Sequence, residues 1–369
     1  MFYFILFLFL PCLISAKDFS DFDRYQKKLS REIVQKKIDT FLKKNAEIDA
    51  YYQLTEKALI LYKTPKTEVE YILELEEQAV PSENLKKKSL AGLKVALDPG
   101  HFGGNYAFLE ERYIDIEENR FDEGTLTLLT ALYLKQLLEA EGATVFLTKT
   151  KVGEGVFEEN FFDWLKKNPH YWVDKPLNRI FRLYYNPLDL RARAEKINQF
   201  GPDLTLIIHF NAHPVKGDLP SNSHSTESNY NLVFLPGAFC KKELADSDAR
   251  YEFLRLICTH DLQNSLDLSQ HILDRFSAIL KVPAIQESSE IPYLSKCCLK
   301  LSEGIFARNL VLTRLIHGPL CYGETLIQNN VQECKNLSKK EFVIQGIACP
   351  LRLKEVAEAY FEGIKEYLK

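Results

Sequence analysis

The chain has 369 residues, with 47 Lys and Arg against 51 Asp and Glu, a formal net charge of −4 and 46% hydrophobic residues. This composition is typical of a globular protein of about two domains, and it excludes collagen-like, coiled-coil and disordered chains. The near balance of charge also argues against a nucleic-acid-binding protein, which needs a basic surface.

The first 16 residues, MFYFILFLFLPCLISA, are almost wholly apolar. This run is shorter than the roughly 20 residues that a membrane helix needs, it ends in small residues, and polar residues follow it. We therefore predict a signal peptide at 1–16, export to the periplasm or cell envelope, and no transmembrane span in the mature chain. The alternatives are an uncleaved hydrophobic anchor and a lipoprotein anchored through Cys12, which the preceding Pro11 fits poorly.

Eight cysteines are present, and seven remain if the predicted signal peptide is removed. They form no C-x-x-C pair, and the adjacent Cys297 and Cys298 are poorly placed to bond each other. We expect most of these residues to be buried free thiols. The sequence alone assigns no disulfide pairing.

A small accessory unit is predicted at 17–90. Apolar residues at helical spacing predict a helix from Ser30 to Asn45, with the serine as its N-cap. Apolar residues then alternate with polar ones at 57–63 and 69–75, which predicts a β-hairpin. The stretch at 81–88 reads as a linker out of the unit. The unit either packs on the following domain or binds a protein partner.

From residue 91 to 369 we predict one catalytic domain, because short apolar runs alternate with amphipathic stretches. The predicted strands lie at 94–97, 144–147, 204–208, 232–235, 310–313 and 320–322. The predicted helices lie at 125–140, 190–200, 262–280 and 353–368. The expected fold class is α/β, with a mixed, mostly parallel sheet flanked by helices on both faces and a small N-terminal helix-plus-hairpin unit.

Two insertions interrupt this rhythm, near 150–189 and 214–229. The second is rich in Ser and Asn, whereas the first holds both tryptophans of the chain. Its aromatic residues are Phe157, Phe161, Phe162, Trp164, Tyr171, Trp172, Phe181, Tyr184 and Tyr185. Such a segment forms either a packed subdomain or a lid or platform for substrate.

Two histidines follow predicted strands. His101 lies in the glycine-rich sequence LDPGHFGG after the first strand of the domain, and His209 ends the strand at 204–208. Sites in α/β sheets form at the carboxyl ends of strands. Two histidines at such ends, joined by a third ligand, are typical of a catalytic zinc site with an open position for water.

The order of several motifs resembles the zinc-dependent N-acetylmuramoyl-L-alanine amidases (amidase type 3), which are cell-wall hydrolases. The resemblance covers about 94–369 and rests on several segments in the family's order. These segments are LDPGHFGG at 97–104, Glu123 with the helix after it, GATVFLT at 142–148, LRARAEKIN at 190–198, IIHFNA at 207–212 and GETLIQN at 323–329.

The resemblance implies a role for each matching residue. His101, Glu123 and His209 match the zinc ligands, and Glu324 matches the catalytic glutamate. Arg193 matches an arginine that we interpret as a structural clamp. The implied activity is zinc-dependent hydrolysis of the amide between N-acetylmuramic acid and L-alanine in peptidoglycan, which releases stem peptides. The zinc ion would activate water and polarise the carbonyl, with the glutamate transferring the proton.

The sequence departs from the family pattern at two points. Phe102 stands between the first histidine and the glycines, and Gly323 precedes Glu324 where the family often has valine. The stretch before Glu123 is also longer than usual. It offers other acids as the third ligand, with Glu118 as the main alternative among Glu110, Glu111, Glu117 and Glu118.

Asn211 and His213 are candidates for substrate binding because they follow His209 directly, although His213 also reads as an ordinary surface histidine. The expected partners are peptidoglycan and an activator protein that moves an insertion covering the cleft. The alternative function is a non-catalytic peptidoglycan-binding or scaffold protein that retains the amidase fold.

Overall fold

The computed structural model describes residues 17–77, 89–172, 175–215, 221–240, 242–286 and 291–369. The predicted signal peptide and the predicted linker at 81–88 lie outside these ranges. The strands are β1 Tyr52–Leu54, β2 Ala58–Thr64, β3 Glu68–Glu74, β4 Lys94–Pro99, β5 Tyr113–Ile116, β6 Asn119–Asp122, β7 Thr144–Leu147, β8 Leu204–Asn211, β9 Leu232–Leu235, β10 Cys298–Ser302, β11 Ile305–Arg308, β12 Leu320–Ile327, β13 Phe342–Ile344 and β14 Ile347–Cys349.

The α-helices vary from single turns to twenty residues. They are α1 Arg31–Lys37, α2 Ala107–Glu110, α3 Glu123–Ala140, α4 Phe161–Lys167, α5 Leu177–Ile180, α6 Asn186–Phe200, α7 Ser247–Cys258, α8 Asp261–Leu280, α9 Pro292–Cys297, α10 Val311–Leu315, α11 Val331–Ser338 and α12 Leu351–Tyr367. Across the part of the chain that the structure describes, none of them combines the length and the apolar character that crossing a membrane requires.

The N-terminal unit contains the predicted hairpin and one more strand. β1, β2 and β3 form an antiparallel sheet in that order. The hydroxyl of Ser30 accepts a hydrogen bond from the Ile33 N–H at 3.4 Å, so the predicted N-cap is confirmed. The predicted helix was too long, because α1 ends at Lys37 and a π-helical turn ends at Leu42. The backbone then turns away to bond Phe239, and this tertiary contact overrides helical propensity.

The N-terminal unit packs directly on the rest of the chain. Its buried apolar side chains belong to the same hydrophobic cluster as those of α7, α8 and α12. The ring of Phe22 lies 4.8 Å from the ring of Tyr251, and the carboxylate of Glu70 accepts two hydrogen bonds from Arg250, one of them 3.0 Å long. Of the two interpretations of this unit, packing on the following domain is therefore the one observed.

A seven-stranded sheet organises residues 94–327, in the order β10-β11-β9-β12-β8-β4-β7. β7, β4, β8 and β12 are mutually parallel, β9 runs antiparallel to β12, and β11 is parallel to β9. β10 closes the edge as an antiparallel strand. The sheet is thus mixed and mostly parallel, as predicted.

Helices cover both faces of this sheet, which confirms the predicted α/β class. The first face carries α3, α8 and α12, whose buried side chains form the large cluster. The second face carries α6 and α10, and their residues Ile197 and Leu312 pack in a second cluster with Ile207 and Phe306 of the sheet. Because both faces are covered, β8 is buried along its whole length.

The strand predicted at 310–313 is wrong, because Val311–Leu315 forms helix α10. A run of four apolar residues carries no period that separates a strand from a helical turn. The side chain of Thr313 decides the local structure. Its hydroxyl donates to the Arg308 carbonyl at 2.6 Å and accepts a hydrogen bond from the Leu310 N–H at 3.0 Å.

The aromatic insertion, defined here as residues 150–189, forms a packed subdomain. Its buried core contains Phe161, Trp164, Phe181 and Tyr185 together with Phe102 from the loop after β4. The observed arrangement is therefore the packed subdomain, the first of the two interpretations of this segment. Trp172 remains exposed on its surface.

Candidate metal centre

His101, Glu123 and His209 meet at the carboxyl-terminal edge of the sheet. His101 follows β4, His209 lies in β8, and Glu123 is the first residue of α3. The ligand atoms of the three side chains lie within 4.8 Å of one another. The carboxylate of Glu123 bridges the histidines, with 3.3 Å from Oε2 to His101 Nε2 and 2.9 Å from Oε1 to His209 Nδ1.

The backbone around His101 is adapted to this convergence. A Cβ atom on Gly100 would lie 2.2 Å from the ring of His209, so only glycine lets the second histidine reach the loop. His101 itself has a φ of 58°, in the left-handed region that residues other than glycine rarely adopt. Such strain persists where the surrounding structure holds it, and it is common at functional sites.

Glu110 is a buried acid that contacts His101 from the side away from the other ligands. Its Oε1 lies 3.2 Å from His101 Nδ1, and its Oε2 accepts a hydrogen bond from the Phe102 N–H at 2.7 Å. Metal-binding histidines usually donate their second ring N–H to a carboxylate or carbonyl, which fixes the tautomer and the ring orientation. Glu110 occupies that position relative to His101.

The charges in the centre favour a divalent cation. Burial would by itself lower the pKa of His101, but the carboxylates of Glu123 and Glu110 raise it to about 9. Burial lowers the pKa of His209 to about 4. Burial would raise the pKa of Glu123, yet the two adjacent histidines hold it well below its usual range. Two imidazoles and one ionised carboxylate form a donor set typical of zinc.

Glu324 lies beside the three convergent residues. It is paired with His209 in the parallel register of β12 and β8, so both side chains emerge on one side of the sheet. Burial, and then the negative charge of Glu123, raises the pKa of Glu324 to about 8. A carboxyl group that titrates near neutral pH is suited to proton transfer.

These four side chains line one pocket of about 960 Å³. Residues 111–115, which lead into and form strand β5, line the pocket. Residues 221–223 of the second insertion line it beside them. Tyr293, Arg308 and Tyr322 also line the pocket. No described residue of the aromatic insertion lines the pocket, whereas the insertion at 214–229 does contribute to it.

The other residues singled out from the sequence occupy different places. Asn211 is buried and lines the pocket. His213 is not among the lining residues, and its ring nitrogen Nδ1 lies 3.0 Å from the hydroxyl of Tyr230. Glu118 is exposed in the turn between β5 and β6, apart from the cluster of His101, Glu123 and His209. Arg193 is buried outside the pocket, bonded to Asp189.

The two departures from the expected pattern have structural explanations. Phe102 is 1% exposed and packs against Phe181 of the aromatic insertion at 5.2 Å between ring centroids. The added residue therefore joins the loop of His101 to that insertion. At Gly323 a Cβ atom would lie 2.0 Å from the hydroxyl of Tyr360 in α12, so this chain has no space for the valine that the family pattern often has there.

The contact between Glu110 and His101 yields a prediction for metal affinity. Glutamine at position 110 offers one acceptor oxygen where two are used, so His101 loses part of its support. We expect Glu110→Gln to weaken zinc affinity by about 10–100-fold, measured by competition with a chelator. Glu118→Gln is the matched control and should leave the affinity unchanged. An affinity equal to that of the parent in Glu110→Gln would contradict the supporting role, and a loss in Glu118→Gln would make Glu118 a ligand.

Comparison with known proteins gives a consistent family. The sequence model of a family described as N-acetylmuramoyl-L-alanine amidase matches residues 95–365. Among solved structures, the CwlD amidase from Clostridioides difficile, in complex with the GerS lipoprotein, is 19% identical with a TM-score of 0.46, over 75% of this chain and 98% of that chain. The amidase Ami1 from Mycobacterium smegmatis is 16% identical with a TM-score of 0.45, over 76% and 98%. No curated protein matches the chain.

Proposed function

This chain belongs to the N-acetylmuramoyl-L-alanine amidase family, and on that basis we propose that it is a zinc-dependent peptidoglycan amidase. The reaction is hydrolysis of the amide between the lactyl group of N-acetylmuramic acid and L-alanine, which frees the stem peptide. The observation that carries the proposal is the convergence of His101, Glu123 and His209 in one pocket with Glu324.

The donor set fits zinc. Ligands at 2.0–2.1 Å from a tetrahedral zinc ion are separated by roughly 3.3 Å, which is close to the distance between His101 Nε2 and Glu123 Oε2. In our proposal His101, Glu123 and His209 hold the ion. Bound zinc supplies a Lewis acid that polarises the scissile carbonyl and makes water more acidic.

Glu324 is proposed to move the protons of the reaction. In its ionised form it accepts a proton from the attacking water, and it then donates that proton to the nitrogen of L-alanine as the amide breaks. Burial raises the pKa of Glu324 above the usual range of a carboxyl group, which favours the protonated form that it needs as a proton donor. Tyr322 stacks on His209 at 4.6 Å between ring centroids and so keeps this ligand oriented.

One preparation with two assays tests the proposal. We expect about one zinc ion per chain, and release of stem peptides with a free L-alanine amino group from purified sacculi. Removal of zinc with a chelator should stop the release, and added zinc should restore it. Protein that binds sacculi without zinc and releases no peptide would instead support the non-catalytic scaffold.

Export to the periplasm or cell envelope is part of the proposal. Peptidoglycan lies outside the cytoplasmic membrane, so an amidase meets its substrate there. The apolar run at 1–16 is the feature of the sequence that supports export. Fractionation of cells that produce the full chain should then recover the protein, shortened at its N-terminus, outside the cytoplasm.

Control by a partner protein is proposed to act through the insertion at 214–229. Ser221, Asn222 and Ser223 line the pocket, and the Asn222 carbonyl accepts a hydrogen bond from the Asp115 N–H of β5 at 2.8 Å. Loosening this contact would change access to the metal centre, as a partner bound to the insertion would.

Removing the Asp115 N–H tests whether its hydrogen bond to the Asn222 carbonyl restricts access to the pocket. Proline at 115 has no N–H, and a strand edge tolerates it. We expect Asp115→Pro to raise the rate on sacculi several-fold with zinc content unchanged. Asp115→Ala keeps the N–H and should behave as the parent. Equal rates in the two variants would mean that this contact does not limit access.

A further inference from the structure

Arg308, the last residue of β11, is a cation that lines the pocket. Its guanidinium lies over the ring of Tyr293 at 4.7 Å and over the ring of Phe234 at 4.9 Å. Within the described ranges its side chain makes no hydrogen bond and no ion pair. The other lining arginine, Arg112, differs because its Nε lies 4.0 Å from the carboxylate of Glu123.

The position of Arg308 relative to the metal centre follows from a row of aromatic contacts. The ring of Phe234 lies 5.9 Å from Tyr322, and Tyr322 stacks on His209 at 4.6 Å. Arg308 is thus on the same side of the sheet as His209, displaced along the pocket. Extended peptide advances about 3.3–3.6 Å per residue, so a few residues beyond the scissile bond span this separation.

The surroundings of Arg308 suit an anion. A guanidinium between two rings is held in one plane and is less hydrated than a free one, which strengthens hydrogen bonds to a carboxylate. Asn211 lines the same pocket, and its amide lies against the hydroxyl of Tyr293, whose ring the guanidinium of Arg308 covers. The positive charge of Arg308 partly offsets the rise in the pKa of Glu324, so the test of Arg308 compares two substrates on the same variant rather than absolute rates.

We propose that Arg308 binds a carboxylate of the stem peptide and makes the enzyme select stem peptides that carry it. This inference rests on the proposed amidase function and adds a substrate preference to it. The free carboxylates of a stem peptide lie on its second and later residues, and our proposal places that part of the substrate along the pocket toward Arg308. Amidation of the recognised carboxylate removes its charge and weakens the contact.

The test uses soluble N-acetylmuramoyl peptides in which each carboxylate in turn is converted to the carboxamide. For one position, we expect the zinc-loaded parent to show kcat/KM about 10–100-fold higher for the carboxylate form, as for other hydrogen bonds to charged groups. In Arg308→Gln that preference should fall below about threefold, and Arg308→Lys should keep part of it. Arg191→Gln removes an exposed arginine elsewhere and should keep the full preference.

A binding measurement distinguishes failure of this inference from failure of the proposed function. Calorimetry with the released peptide and its amidated forms measures the same preference without hydrolysis. If the parent hydrolyses none of the substrates, the amidase proposal fails, while a binding preference lost in Arg308→Gln still supports the inference. No preference in the parent at any position, or an equal preference in Arg308→Gln, would overturn it.

Discussion

Replacing Glu324 with glutamine is expected to lower the rate of amide hydrolysis by about 10²–10⁴-fold while leaving the zinc content of the protein unchanged. Glutamine has nearly the same size but accepts no proton. Glu324 lies outside the cluster of His101, Glu123 and His209, so the metal should be retained. The measurement is stem-peptide release per zinc-loaded chain, with metal content determined on the same sample.

Three comparisons make this result specific. His209→Ala should lose both zinc and activity, which separates a metal ligand from a proton carrier. Glu324→Asp keeps the carboxyl group but withdraws it, so a partial rate is expected. Glu303→Gln removes an exposed carboxyl group in the turn between β10 and β11 and should have no effect. If Glu324→Gln hydrolyses sacculi as fast as the parent, the proton is transferred by another group.

The fold is predictable from sequence where a pattern repeats over several turns. The prediction for α8 is correct to within one residue, and that for α12 to within two, because ten or more residues of amphipathic spacing average out local exceptions. The short strands β10 and β11 have four or five residues each, and no periodicity identifies them. The π-helical turn after α1 depends on a backbone contact with Phe239, which no local pattern contains.

The candidate site is also only partly predictable from the sequence. His101 follows β4 and His209 lies near the end of β8, so their placement at one edge of the sheet follows from topology. The sequence identifies Glu110 only as an alternative ligand, because its contact with Nδ1 of His101 depends on how the segment between β4 and α3 folds. Arg308 is not identifiable as a pocket residue from the sequence, because the pairing of β11 with β9 brings it to the pocket and strand order is not encoded locally.

The aromatic insertion shows a different limit of prediction from sequence. Its composition indicates either a packed subdomain or a substrate platform, and the choice depends on whether another part of the chain supplies a partner. Phe102 is that partner, since its ring is buried in the core of the insertion. A single added residue beside a glycine-rich motif therefore has a role in packing that the motif alone did not reveal.

Replacing Arg193 with methionine is expected to lower the free energy of unfolding by about 3–5 kcal/mol, measured by urea denaturation. Arg193 is 1% exposed, and its guanidinium donates to Asp189 at 2.7 Å and to the Pro99 carbonyl at 3.2 Å and lies 3.6 Å from Asp98. Methionine fills the space but leaves two buried carboxylates without this cation. The loss of charge compensation therefore outweighs the loss of packing.

A double-mutant cycle tests this cause. If the cost comes from the unpaired carboxylate, adding Asp189→Asn to Arg193→Met should cost less than Asp189→Asn does alone. Arg191→Met on the same helix removes an exposed arginine paired with Asp248, and exposed pairs contribute about 0.2–1 kcal/mol. The Asp189 carboxylate also accepts the Phe157 N–H of the aromatic insertion, so the same pair joins that insertion to the end of β4. A cost for Arg193→Met no larger than that of Arg191→Met would mean that the buried carboxylates need no arginine.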